Sequence, residues 1–313
     1  MRFLLPRGPV RGLVTGITLS AALAFASSEA RAYCRTSVCD GVTGQRCEPS
    51  APGDCGEVIA WPSACVGLSV QVDGSAQLDV PTTQSVFQAA FDTWSAADCA
   101  GLPPAIRVLG LEPVRCDATE YNQDQGNANV VLFRDEAWPH EGQLTTIALT
   151  TVTYDLDTAD IYDADIELNT AQFTFSAGPG ATGALALAAV ATHEAGHFLG
   201  LAHSAASGST MLYGYAADMD TLSEDDVSAI CAVYPPADEG DCDPTPRHGF
   251  QSECAVPGSE GPREEGCSCE LPGPGRKTPA GLGFFVVAWG IVLCHRRGGR
   301  RSSAPPPRET PAA

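Results

Sequence analysis

The sequence predicts an α+β domain over residues 61–236. Three observations carry that prediction. Several runs alternate with period two, other segments space their apolar residues as a helix does, and two long strand patterns are joined by a short acidic turn. Cys65 to Val72 alternates like a strand, and Thr83 to Ala97 sets Val86, Phe87, Ala90, Phe91 and Trp94 along one helical face. Ile106 to Leu109 and Asn129 to Phe133 read as short buried strands. Thr146 to Tyr154 and Ile161 to Leu168 follow, joined around Asp155-Leu156-Asp157. Ala181 to Leu199 is an alanine-rich helix whose small side chains let it sit close beneath a sheet. A last helix runs from about Ser223 to Val233, with Thr221 and Glu224, or Ser223 and Asp226, as its capping box.

The chemistry concentrates at the end of the alanine-rich helix, in His193-Glu194-Ala195-Gly196-His197-Phe198-Leu199-Gly200-Leu201-Ala202-His203-Ser204. Histidines four apart share one face of a helix, so the rings of His193 and His197 can meet at one ion. Gly200 can leave the helix in a left-handed conformation and bring His203 back to the same point. Half of the six histidines therefore fall within eleven residues. Three neutral imidazoles and one open position describe a catalytic zinc rather than a structural one. Glu194 is placed to take a proton from the water that such a metal activates.

This motif resembles that of the metzincin metallopeptidases, and Ser204 after the third histidine is similar to the matrixin branch. A second element agrees: Met211, in Ser209-Thr210-Met211-Leu212-Tyr213, lies where matrixins put a methionine turn beneath the zinc. Its thioether would pack under the imidazoles as a soft floor. Tyr213 stands two residues after Met211, as in the astacin and serralysin branches, whereas matrixins carry Tyr directly after the methionine. The resemblance leaves Tyr213 two roles: donor to the oxyanion, or wall of the substrate pocket. The order of elements from about Trp61 to Pro236 also resembles the matrixin catalytic domain. That resemblance implies a twisted, mostly parallel sheet with an antiparallel edge strand, packed on the zinc-binding helix and a C-terminal helix.

Two strands gain a meaning from the resemblance. Ile147 to Val152 is similar to the edge strand on which metzincins align substrate, where unpaired N–H and C=O groups suit an extended peptide. Asp163 to Leu168 aligns with the matrixin strand that binds a structural zinc and calcium, but Asp165 stands where that family has a histidine ligand, so a second zinc is not expected. Asp163, Asp165 and Glu167 share one strand face. They suit either Ca2+, a cation that prefers oxygen ligands, or a solvated acidic face.

Composition sets the setting. A formal charge of −20 and a pI near 4.5 exclude nucleic acid as a partner, because phosphate binding needs clustered cations. Arg2, Arg7 and Arg11, the apolar run from Gly12 to Ala26 and Ala30-Arg31-Ala32 read as a cleavable signal peptide over residues 1–32, with Tyr33 as the first mature residue. Thirteen cysteines fit an oxidising compartment. Cys34, Cys39, Cys47, Cys55 and Cys65 crowd a loop-rich segment, residues 33–60 and just beyond, expected to be stapled by disulfides. Residues 237–279, rich in Pro, Gly and acids, read as a stalk. The apolar run 280–294 followed by arginines resembles the C-terminal sorting signals of myxobacterial surface proteins, a plain anchor being the alternative, and residues 302–313 read as a disordered tail.

The expectation is an exported, monomeric zinc endopeptidase acting on protein or peptide substrates, located at the cell surface, in the outer membrane or secreted. His193, His197 and His203 are its metal ligands, Glu194 its base, Tyr213 a second catalytic group and Met211 the floor. The alternative is a surface binding or adhesion protein that keeps an inactive metallopeptidase fold.

Overall fold

The computed structural model describes residues 33–36, 57–178, 183–237 and 241–254, together with the backbone of 267–270. In chain order the elements are β1 (Cys34–Arg35), β2 (Cys65–Val70), α1 (Val80–Ser95), β3 (Arg107–Gly110), β4 (Val130–Phe133), β5 (Thr146–Tyr154) and β6 (Ile161–Leu168). Then come β7 (Phe175–Ser176), β8 (Leu185–Ala186), α2 (Leu187–Phe198), β9 (Leu201–Ala202), α3 (Glu224–Val233) and β10 (Cys267–Glu270). The main sheet has the order β10-β5-β6-β4-β2-β3. Strands β3, β2, β4 and β6 run parallel, β5 is antiparallel to β6, and β10 is antiparallel to β5. This is the predicted α+β architecture, a mostly parallel sheet whose antiparallel strand β5 lies at one side.

Local chemistry starts and stops the helices. Asp79 caps α1, accepting from the Thr82 amide at 2.8 Å, and Pro81 occupies the first turn, where its missing N–H costs nothing. Ser223 and Asp226 form the capping box of α3, the second of the two pairs considered. Helix α2 is shorter than Ala181 to Leu199. Gly183 has φ +87°, and Leu185–Ala186 pairs with Phe175–Ser176 as a strand before the helix begins.

Helices α1 and α2 bury their apolar faces against each other and against one face of the sheet. Phe87, Phe91 and Trp94 of α1 meet Val190, Ala191 and Phe198 of α2 in one core with Ile147, Ala164, Ile166 and Leu168 of the sheet. Phe91 and Phe198 stack edge to face at 4.9 Å between ring centres. The Trp94 indole N–H donates to the Thr192 carbonyl at 2.8 Å, which fixes the height of α2 on α1.

The other face of β6 corrects one expectation. Asp163, Asp165 and Glu167 do share a face, but it is not solvated: each is at most 2% exposed. The start of β4 and residues of the neighbouring loops supply donors to two of them. Asp165 accepts from the amides of Val130 at 2.8 Å and Glu120 at 3.0 Å. Glu167 accepts from Arg134 at 2.5 Å and pairs with His140 at 2.7 Å. Burial pushes the Asp165 carboxyl well above its ordinary pKa despite those two amides.

Disulfides Cys65–Cys242, Cys99–Cys231 and Cys116–Cys254 tie distant parts together. Cys65, grouped in sequence with the N-terminal cysteines, thus pairs across 177 residues. Residues 241–254, within the stretch read as a stalk, lie against the domain. The Asn127 side chain donates to Arg247 O at 2.8 Å, Arg115 N–H donates to Ser252 O at 2.7 Å, and the Arg247 guanidinium covers the Tyr162 ring at 3.9 Å. Among the described residues no helix is long and apolar enough to cross a membrane, and the signal-peptide and 280–313 readings fall outside those residues.

Candidate active site

The site is built on the last two turns of α2 and the bend that follows. The bend depends on Gly200, whose φ is +85°; a Cβ there would also stand 2.5 Å from the Ile59 carbonyl oxygen. Side chains satisfy the carbonyls left over at the helix end. The Trp61 indole N–H donates to Phe198 O at 2.8 Å and the Tyr234 hydroxyl donates to Leu199 O at 3.0 Å. Both aromatics lie far from the motif in sequence, and the motif alone gave no sign of them.

This geometry brings together the three predicted ligands. The Nε2 atoms of His193, His197 and His203 form a triangle with every edge 3.2 Å. His193 Nδ1 lies 2.6 Å from Thr210 O and His197 Nδ1 lies 2.8 Å from Leu201 O. A carbonyl only accepts, so in both rings the proton is on Nδ1 and the Nε2 lone pair points inward. Burial drives the same outcome. It lowers His193 to about 4, against the opposing pull of the Thr210 carbonyl and Asp226. It also lowers His197 well below the ordinary histidine value, with His203 and His193 adding to the effect.

Inward lone pairs at this spacing repel one another unless a cation lies between them. Nitrogens bound to one tetrahedral zinc stand about 3.3 Å apart, so the donor set fits that ion. Among the described residues the same histidines form one of two groupings with ligand atoms close enough for a metal. The other, Cys116, Glu120 and Cys254, has its two sulfurs joined in a disulfide.

Glu194 follows the first ligand and is fully buried. The Thr150 hydroxyl on β5 donates to its Oε2 at 2.6 Å. Met211, 2% exposed, packs against Gly196 of α2, which lies between His193 and His197 in sequence. Asp226 holds its turn, accepting from Ser209 Oγ at 2.5 Å, Thr210 N at 2.8 Å and Met211 N at 3.2 Å. The neighbouring Asp225 accepts from Ser204 Oγ at 2.6 Å and from the Tyr33 N–H at 3.0 Å. Tyr213 is half exposed, its ring perpendicular to that of His203 with centres 5.1 Å apart, so it stands beside the third ligand.

A sheet over a ligand-bearing helix, a third histidine on the bend and a methionine turn packed against that helix define a metzincin-type metallopeptidase. The Matrixin family model matches residues 61–235, more than half of the chain, and the protein belongs to that family of zinc metallopeptidases. A search of curated proteins found no match to the chain.

Proposed function

We propose that the protein is an exported zinc-dependent endopeptidase that hydrolyses peptide bonds within protein substrates. The observation that carries this reading is the triangle of inward Nε2 atoms with Glu194 next to its first member. His193, His197 and His203 would hold the zinc, which when bound supplies Lewis-acid polarisation of the scissile carbonyl and activates the attacking water. Glu194 takes the water proton and passes it to the leaving amine. Tyr213, beside His203, donates its hydroxyl hydrogen to the developing oxyanion. Met211 supports the ligand rings from below.

An extended peptide suits the side of β5 away from β6, the strand whose Thr150 touches Glu194 being β5 itself. That edge was expected to be open, but the backbone of β10 pairs with it, Cys267 opposite Thr150 and Cys269 opposite Ala148. A substrate strand therefore takes the place of β10 to reach the site. Glu194 argues for the enzyme over an inactive adhesion protein, because a metal kept for structure needs no base.

The test is a cleavage assay on casein and a fluorogenic peptide library, with and without chelator, alongside metal analysis. Glu194→Gln is expected to retain zinc at the wild-type stoichiometry and to lose nearly all activity. Full activity in that variant, or a wild-type protein that holds no zinc, refutes the reading.

A further inference from the structure

We propose that Thr150 is a positioning residue for Glu194, setting the orientation of its carboxylate for proton transfer. The proposal rests on the endopeptidase reading and adds to it a group from the sheet, 44 residues away in sequence.

Three features support it. First, the contact is short: Thr150 Oγ1 to Glu194 Oε2 is 2.6 Å, in the range of a hydroxyl hydrogen bond to an ionised carboxylate. Thr150 Oγ1 also lies 3.4 Å from the Glu194 carbonyl oxygen, so the hydroxyl sits beside both ends of the residue. Both side chains are fully buried, where such a bond is strengthened by the low local dielectric.

Second, the donor is rigid. Thr150 lies in the middle of β5, with Ile166 of β6 as its partner. Its β-branched side chain has restricted χ1 freedom, and its neighbours on the helix-facing side, Ala148 and Val152, are apolar and buried. A glutamate side chain has three rotatable bonds. One hydrogen bond from a fixed strand sets the plane of its carboxylate before substrate arrives, which is the preorganisation a general base requires.

Third, placement couples substrate binding to the base. The strand that an extended substrate would pair with is the strand that carries the Thr150 hydroxyl. A shift of β5 on binding is transmitted to Glu194 through one bond.

The test compares Thr150→Val, which keeps the shape and loses the hydroxyl, with Thr150→Ser, which keeps the hydroxyl. Full-length, zinc-loaded protein is assayed on a fluorogenic peptide, and the metal-free forms of wild type and Thr150→Val are crystallised. Thr150→Val is expected to lower kcat about 10- to 100-fold, with KM within about two-fold and zinc content unchanged, because misplacing a reacting group by about 1 Å costs rates of that order. Thr150→Ser is expected to recover most of the loss. In the metal-free crystals, Glu194 Oε2 is expected to leave its wild-type position. An unchanged kcat in Thr150→Val, equal damage in both variants, or an unmoved Glu194 carboxylate overturns the role of Thr150 while leaving the peptidase intact. Zinc-loaded wild type without peptidase activity overturns the endopeptidase reading instead, and the crystals still decide whether Thr150 orients Glu194.

Discussion

Gly196 and Met211 touch so closely that no side chain fits between them. A Cβ on Gly196 would lie 2.2 Å from Met211 Sδ and 2.9 Å from a ring carbon of Trp94. The methionine turn and the ligand helix are therefore matched at one backbone position, within the same motif that supplies the ligands. Replacing Gly196 with Ala sets two effects against each other. Alanine favours a helix over glycine by about 1 kcal/mol. Overpacking a buried contact costs about 1–3 kcal/mol, and a 2.2 Å approach lies far inside van der Waals distance. Overpacking wins, so Gly196→Ala is expected to lower the melting temperature by a few degrees and weaken zinc retention. A higher melting temperature with unchanged zinc affinity contradicts the match.

The buried Glu167 gives the domain a pH dependence. Burial alone would raise its pKa, but the hydrogen bond from His140 and the charge of Arg134 overcome that and hold it below its ordinary value. A carboxylate with a lowered folded pKa contributes stability that is present above the unfolded pKa, about 4.3, and lost as pH falls through the folded value. Arg134→Leu leaves a buried charge with His140 as its remaining ionic partner among the described residues and is expected to cost about 3 kcal/mol near neutral pH. The gap between wild type and variant narrows as pH falls from the unfolded glutamate value toward the lowered folded value of wild type, and closes once Glu167 is protonated in both. Denaturant titrations at pH 7 and pH 3.5 measure it, and an equal gap at both contradicts the assignment.

The two roles open to Tyr213 separate kinetically. An oxyanion donor acts in the transition state, so Tyr213→Phe is expected to lower kcat about 100-fold with little change in KM. If kcat holds and KM rises, the ring beside His203 is a pocket wall and the donor role is wrong.

Local periodicity made the strands legible: β5 and β6 begin and end where their alternation does. The ligand trio was legible because helix pitch and one glycine suffice to bring His193, His197 and His203 together. What stayed hidden is long-range. Nothing near Thr150 announces Glu194, nothing near Cys65 announces Cys242, and the aromatics capping α2 come from residues 61 and 234. A polar, β-branched residue between Ala148 and Val152 on the helix-facing side of a strand was the one available hint for Thr150. The acids of β6 misled because strand alternation says which residues share a face but not what covers it.

The pairing of β10 with β5 leads to a final prediction. In the register observed, Ser268 faces Leu149 and Cys269 faces Ala148, so β10 follows the strand whose Thr150 touches Glu194. Amide donors alternate along a strand, so one of these two adjacent residues directs its N–H toward β5. Proline has no N–H to give, and Ser268→Pro and Cys269→Pro together sample both phases of the alternation. Each ladder bond lost weakens the pairing by about 1 kcal/mol net, which corresponds to roughly a five-fold shift toward an open edge. One of the two variants of the full-length protein is therefore expected to cleave peptides long enough to lie along β5 with kcat/KM raised several-fold, mainly through KM. Dipeptide-sized substrates, too short to use the edge, should show no change. If both variants match wild type on long peptides, β10 does not compete with substrate for β5.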